Sequence, residues 1–83
     1  MTTPLETLPN IGKVLAGRLM AAGIKDAESF LALGDDAAFA RLVAAFPAEA
    51  CTHTRLALAG AVRNVRWHGL DPALRKELTR RLG

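Results

Sequence analysis

Residues that break or cap helices divide this chain into short segments, and this division constrains the fold more than any other feature. Gly23 and Gly34 can each end a helix, because glycine readily adopts the left-handed conformation that follows a helix C-terminus. Pro47 also interrupts a helix, and the pair Asp71-Pro72 is typical of a helix start. Between these points apolar residues recur at intervals of three and four, and no segment shows the two-residue alternation of a strand. The sequence therefore predicts helices and no sheet.

Five helices are predicted, and the fourth is predicted to be the central one because it is apolar over most of its girth. Asp26 is the predicted N-cap of the second helix. Gly60 lies inside the fourth helix, where we expect another helix to cross closely, since glycine otherwise weakens a helix interior. The predicted bounds, in chain order, are about Ile11–Ala22, Ala27–Leu33, Asp35 or Asp36 (as N-cap) to Pro47, Thr52 or Thr54 to Trp67, and Asp71-Pro72 to Leu82.

Length and composition agree with one all-α domain. The chain has 83 residues, of which 51% are hydrophobic, mainly Ala and Leu. These two residues are the strongest helix formers. We therefore predict a compact bundle of about five short helices that occupies residues 1–83 as a single domain. One cysteine, no visible signal peptide and no membrane-length apolar segment lead us to expect a cytoplasmic protein without membrane contact.

The segment Leu8–Ile24 resembles a helix–hairpin–helix motif. Ile11, Gly12 and Ala16 stand where that motif has its hairpin hydrophobe, its second glycine and its small helical residue, and Asn10 replaces the first glycine. Asparagine is a tolerable replacement because it accepts left-handed backbone angles. The resemblance predicts an N-terminal helix pair of this type.

A turn of this kind opens onto a helix N-terminus, where free backbone N–H groups and the helix dipole favour a phosphate. The resemblance therefore implies contact with a DNA backbone through Asn10, Gly12 and Lys13, with Arg18 or Lys25 adding positive charge. The alternative is that the turn only packs two helices together. Acidic residues near the hairpin (Glu6, Asp26 and Glu28) weaken the case for a phosphate.

Positive charge is concentrated in the second half of the chain. Residues 1–50 contain four basic and six acidic side chains, whereas residues 51–83 contain seven basic and two acidic ones. Such a basic half is compatible with an anionic partner, although a solvated helix surface would look the same. The candidate nucleic-acid-binding residues are Asn10, Gly12, Lys13, Arg18, Arg63, Arg66, Arg75, Lys76 and Arg80.

No catalytic, metal-binding or cofactor site is predicted. Cys51 and His53 are two residues apart, so on a helix their side chains point away from each other, and we expect a buried or boundary thiol at Cys51. His53 and His68 lack the spacing of metal ligands. Trp67 is a single large ring and is expected to be a core anchor rather than a base-stacking platform, with His68 at the surface.

A wider resemblance covers residues 8–78. The chain is similar to the C-terminal domain of the TfoX/Sxy family, whose members regulate competence and DNA transformation in bacteria. The most distinctive part is the Gly60-Ala61 pair followed six residues later by Trp67-His68, and Asn10 is normal for that family. The other matching positions are Leu8, Ile11, Gly12, Leu19, Gly23, Ile24, Phe30, Leu33, Gly34, Phe39, Leu42, Leu58 and Leu70.

The resemblance implies a non-enzymatic regulatory binding module that acts through protein contacts, with weak sequence-neutral binding to a DNA backbone as a further expectation. A protein partner is therefore expected, and nucleic acid is a second candidate partner. The alternative is an interaction or oligomerisation module without nucleic-acid contact. Its interface would be exposed Phe side chains or the leucine stripe of the last helix, which could also form a homodimer.

Overall fold

In the computed structural model, which describes residues 2–82, five α-helices are joined by short turns. None of these residues is in a β-strand, so the all-α prediction is confirmed. Three single turns of 3-10 helix lie at Leu5–Thr7, Pro47–Glu49 and Trp67–Gly69. The α-helices are α1 (Lys13–Ala21), α2 (Ala27–Leu33), α3 (Asp35–Ala45), α4 (Thr52–Val62) and α5 (Pro72–Leu82).

Local capping explains the bounds of α2 and the end of α1. Asp26 accepts a hydrogen bond from the Ser29 amide (2.7 Å) at the start of α2, as predicted. Gly23, at φ 93°, follows α1, and the Ile24 amide donates to the Leu19 carbonyl at 2.9 Å. This six-to-one bond and the left-handed glycine form a Schellman motif.

Two predicted helix ends are wrong, and the reason is again local. The fourth helix ends at Val62 rather than Trp67, because Asn64 takes the left-handed conformation (φ 58°). The Val65 amide then donates to the Gly60 carbonyl at 2.9 Å, so that asparagine ends this helix as glycine ends α1. Neither Asp35 nor its neighbour caps α3, because the N-cap is Gly34 and both aspartates lie in the first helical turn.

α4 is the central element, as predicted, and two hydrophobic clusters contact it. All residues from Thr54 to Ala61 are buried. Burial of one Leu or Phe side chain stabilises a fold by about 1.5–3 kcal/mol. The larger cluster consists of Leu5, Ile11, Ala16, Leu19, Ile24, Phe30, Ala38, Leu42, Leu58 and Ala61. The smaller cluster consists of Leu56, Ala59, Leu70 and Leu78, with Trp67 and Leu74 partly buried against it.

The smaller cluster accounts for most of the leucine stripe of α5. Leu78 is 4% exposed, and Leu74 packs against the same cluster. Phe30 is fully buried, while Phe39 and Phe46 pack partly buried against the larger cluster. These side chains therefore stabilise the fold itself rather than presenting an open interface, and a homodimer stays a prediction.

Before the hairpin the chain makes only the 3-10 turn Leu5–Thr7, so the N-terminal pair contains one complete helix, α1. Leu5 is buried in the larger cluster, which holds this turn against the bundle. None of the helices described for residues 2–82 has the length and apolar character needed to cross a bilayer.

Candidate nucleic-acid interface

The side chain of Asn10 joins the hairpin to the turn that follows α4. Its amide nitrogen donates to the carbonyls of Val65 (2.9 Å) and Ala57 (3.3 Å), and its amide oxygen accepts from the Trp67 backbone N–H (3.0 Å). The backbone at Asn10 is left-handed, with φ 70°. We call these three hydrogen bonds the Asn10 network. The network uses both hydrogens and the oxygen of the Asn10 amide. The Asn10 side chain therefore stabilises the fold and is not free to bind a phosphate.

Gly60 provides the space for this network. A Cβ atom at Gly60 would lie 2.5 Å from Asn10 Nδ2, 2.6 Å from the Val65 carbonyl oxygen and 3.3 Å from the Trp67 Cα. The expected close approach is therefore present. Its predicted cause is wrong, since the nearest neighbours are an asparagine side chain and the turn after α4 rather than a crossing helix.

The Asn10 network places the start of α1 and the turn containing Arg66 on the same part of the molecule. Arg66 lies between the two residues whose backbones bond Asn10 in that turn, and its side chain is exposed. Gly12 is the N-cap of α1, without a capping side chain, and Lys13 begins the helix. We call the exposed residues Gly12, Lys13 and Arg66 the hairpin surface.

The electrostatics of the hairpin surface favour an anion. The first turn of α1 contains no acidic residue, so its N–H groups and the positive end of its dipole have no carboxylate beside them in the helix. Within residues 2–82, neither Lys13 nor Arg66 forms a salt bridge.

The acidic residues of α2 near the hairpin have partners of their own. Asp26 caps α2, and Glu28 accepts hydrogen bonds from the Thr3 amide (2.8 Å) and hydroxyl (2.6 Å). The hydrogen bond from the Thr3 side chain holds the pKa of Glu28 below its ordinary value. Asp26 thus stabilises the start of α2, and Glu28 holds the N-terminal segment.

Two of the predicted contact residues are already engaged inside the domain. Arg18 forms an ion pair with Glu49 at 2.8 Å and lies 5.7 Å from the centre of the Phe46 ring. Arg63 donates to the Ala59 carbonyl at 2.9 Å and lies 3.6 Å from an Asp35 carboxylate oxygen. Both side chains are part-exposed, but their charges are balanced locally.

The remaining predicted residues, Arg75, Lys76 and Arg80, come together on α5. They line an open groove of about 520 Å³ whose other walls include Leu56 and Pro72. The structure therefore divides the nine candidate residues among the hairpin surface, internal contacts and this groove.

A buried ion pair that sequence reasoning missed connects α3 to α4. Arg55 is 4% exposed, donates to Asp35 at 2.8 Å and also pairs with Asp36. Its guanidinium carbon lies 5.6 Å from the centre of the Phe39 ring. Burial alone would raise the pKa of Asp35, but the hydrogen bond and charge of Arg55 outweigh that effect and the pKa is lowered. The adjacent aspartates of the sequence were the available signal.

Cys51 and Trp67 differ in exposure, since Cys51 is exposed and Trp67 is partly buried. Cys51 is exposed, so the expectation of a buried or boundary thiol is wrong, and its sulfur lies 3.3 Å from the Thr54 hydroxyl. Trp67 packs against the smaller cluster and forms T-shaped ring contacts with His53 and His68, with ring centroids 5.4 Å and 5.6 Å apart. In residues 2–82, no group of three His, Cys, Asp or Glu side chains is placed to hold a metal ion.

The sequence matches the TfoX C-terminal domain family over residues 1–82. The chain belongs to this family. The predicted resemblance is confirmed as a family assignment, and the Asn10 network connects two of the segments that carry it, the hairpin and the Gly60-to-Trp67 region.

Two solved structures are similar to this TfoX C-terminal domain. An uncharacterized protein from Listeria monocytogenes, in a triclinic crystal form, is 44% identical, with a TM-score of 0.82 over 89% of this chain and 83% of that one. A protein of unknown function from Listeria monocytogenes, in a tetragonal form, is 41% identical, with a TM-score of 0.83 over 95% of this chain and 99% of that one. Among curated proteins, none matches.

Proposed function

We propose that this TfoX C-terminal domain is a non-enzymatic regulatory module that contacts the phosphate backbone of nucleic acid through the hairpin surface. The regulatory role rests on the family resemblance described above. The observation that carries the proposal is the Asn10 network, because it places the uncapped start of α1 next to the turn of Arg66.

The contact would be independent of base sequence. Backbone N–H groups at a helix N-terminus bind phosphate oxygens, and Lys13 and Arg66 add charge without reading base edges. Such contacts position a protein on a duplex but carry no sequence information. Two cations and one helix N-terminus also imply modest affinity, in the non-specific range of about 10⁻⁴–10⁻⁶ M at physiological salt.

Salt-dependent binding to a fluorescent DNA duplex tests the proposal. We expect the logarithm of the binding constant to fall with the logarithm of salt concentration with a slope of about −2, because each neutralised phosphate contributes about −0.9. Lys13→Glu and Arg66→Glu should each weaken binding and make the slope shallower by about 1. Fluorescence anisotropy at several potassium chloride concentrations measures both quantities.

Arg41→Glu is the matched control, since Arg41 is an exposed cation on α3 whose reversal changes net charge equally. It should leave binding close to that of the unaltered chain. Absence of binding at low salt would contradict the proposal, and so would equal losses in all three variants, which would show a response to net charge alone.

A further inference from the structure

An apolar groove between α4 and α5 has no occupant within the described chain. It is lined by Leu56 of α4, which is 6% exposed, and by Pro72 at the start of α5, which is exposed, and the volume of the groove is about 520 Å³. Pockets that bind ligands in proteins typically enclose about 300–1,000 Å³. The groove therefore has space for one or two apolar side chains of a partner.

The polar side chains around this apolar surface are mostly cationic. Arg75, Lys76 and Arg80 line the groove together with Thr79, and no acidic residue is among its described lining. Arg80 also pairs with Glu77 on the same helix at 2.5 Å, but 74% of its side chain is exposed, so this pair is a surface one. The Nε–H of Arg75 is buried and has no hydrogen-bond acceptor within residues 2–82. That atom is closed to solvent, so the positive charge of Arg75 rather than its Nε–H would attract an anionic partner.

We propose that the α4–α5 groove binds a short acidic and apolar segment of a partner protein. One apolar side chain of that segment would pack on Leu56 and Pro72, while its carboxylates would pair with Arg75, Lys76 and Arg80. This is the arrangement by which amphipathic peptides bind grooves, with apolar anchors inside and charges at the edge.

The composition of the groove favours a peptide over nucleic acid. Single strands bind mainly by stacking bases on aromatic rings, and none of the described lining residues is aromatic. A duplex backbone would leave the exposed apolar surface of Pro72 uncovered. The groove thus assigns three of the basic residues predicted to bind nucleic acid to a protein partner, independently of the hairpin surface.

A labelled synthetic peptide, Glu-Glu-Leu-Glu-Glu-Leu-Glu-Glu, provides the test. Its controls are the same peptide with both leucines replaced by serine and the same peptide with its glutamates replaced by glutamine. Fluorescence anisotropy measures affinity, and amide chemical shifts of the ¹⁵N-labelled chain locate the site. We expect the leucine-containing acidic peptide to bind most tightly and to shift the amides of Leu56 and Thr79.

Lys76→Glu/Arg80→Glu should weaken binding of this peptide by about tenfold or more, since two exposed ion pairs are lost and each charge reversal adds repulsion. Arg81→Glu is the matched control, because Arg81 lies on the same helix but does not line the groove. Arg66→Glu should also leave peptide binding unchanged, which separates this test from that of the hairpin surface. Circular dichroism verifies that each variant keeps its helical content.

Three results would overturn the assignment. Equal affinity for the leucine and serine peptides would show attraction by charge without use of the groove. An equal loss of affinity in Arg81→Glu would lead to the same conclusion. A DNA duplex that competes with the peptide and loses affinity in Lys76→Glu/Arg80→Glu would identify the groove as a nucleic-acid site instead.

Discussion

Two asparagines of this domain have left-handed backbones, Asn10 with φ 70° and Asn64 with φ 58°. Within residues 2–82, side-chain hydrogen bonds are found for Asn10 and not for Asn64. The two positions therefore separate the effect of backbone conformation from that of side-chain bonding. The left-handed conformation of Asn64 ends α4. The same conformation at Asn10 directs the side-chain amide into the turn after α4.

Asn10→Gly should destabilise the domain although glycine suits the backbone. The variant retains the left-handed conformation but loses the Asn10 network, and the loss of its hydrogen bonds should lower the free energy of unfolding by about 2–3 kcal/mol. Asn64→Gly, the matched control, should be neutral or slightly stabilising because glycine adopts this conformation without steric cost. Urea unfolding of both variants measures the difference; equal effects would contradict a role for the Asn10 side chain.

Gly60→Ala should destabilise the domain, whereas Gly17→Ala should stabilise it. Alanine is the better helix former by about 1 kcal/mol at either position. At Gly60, however, the added Cβ would lie 2.5 Å from Asn10 Nδ2 and 2.6 Å from a carbonyl oxygen, while at Gly17 it would meet nothing within 4 Å. We expect a net loss of about 1–3 kcal/mol for Gly60→Ala from overpacking. Thermal unfolding shows directly whether each substitution raises or lowers the stability of the domain. A stabilised Gly60→Ala variant would refute the close contact.

At the scale of the helices, the buried Arg55 fixes the first turn of α3 to α4. Asp35 and Asp36 accept from the two ends of its guanidinium, and its aromatic neighbour is Phe39. Removal of one member of a buried pair typically costs about 3–5 kcal/mol because the remaining charge stays buried. Here the cost should be at the lower end, since one aspartate remains.

Asp35→Asn should therefore lower the free energy of unfolding by about 3 kcal/mol near neutral pH. The pKa of Asp35 is lowered in the folded state, so its contribution is present above the ordinary value of about 3.9 and is lost as the pH falls through the folded pKa. The stabilities of the variant and the unaltered chain should converge in acid. Urea unfolding at a series of pH values measures this.

Asp36→Asn is the control for that prediction, because 77% of the Asp36 side chain is exposed. Its effect should be within about 1 kcal/mol, as is usual for an exposed ion pair. A constant difference between Asp35→Asn and the unaltered chain down to low pH would show that the carboxylate charge is not the cause.

Local signals predicted the helices well apart from the end of α4 and the cap of α3, whereas the side-chain contacts that were missed join residues far apart in the sequence. The bounds of α2 follow from Asp26 and Gly34, which lie next to the helix they delimit. The end of α4 was placed too late because asparagine signals a left-handed turn less strongly than glycine. The Asn10 network joins residues that are 47 to 57 positions apart in the sequence. Helical periodicity relates only residues a few positions apart, so it could not predict these hydrogen bonds.

At the scale of the whole molecule, ion pairs change the meaning of the charge distribution. The basic second half of the sequence was compatible with an anionic partner, but Arg55 and Arg63 pair with acidic residues of the first half. Net charge counted along the chain could not reveal this, because it contains no information about pairing across helices. Of the other basic residues of that half, Arg66 lies on the hairpin surface, Arg75, Lys76 and Arg80 line the α4–α5 groove, and Arg80 and Arg81 pair with Glu77. The positive charge therefore lies on two separate surfaces rather than on one.

The Asn10 network also has a consequence for the order of events in folding. One side chain closes a loop of 57 residues between Asn10 and Trp67, and such closure is slow and entropically costly until the intervening helices have formed. We therefore expect these hydrogen bonds to form after the rate-limiting step. Asn10→Gly should then accelerate unfolding much more than it slows refolding, which stopped-flow kinetics would detect. In that case Asn10 would determine how long the folded domain lasts rather than how quickly it forms.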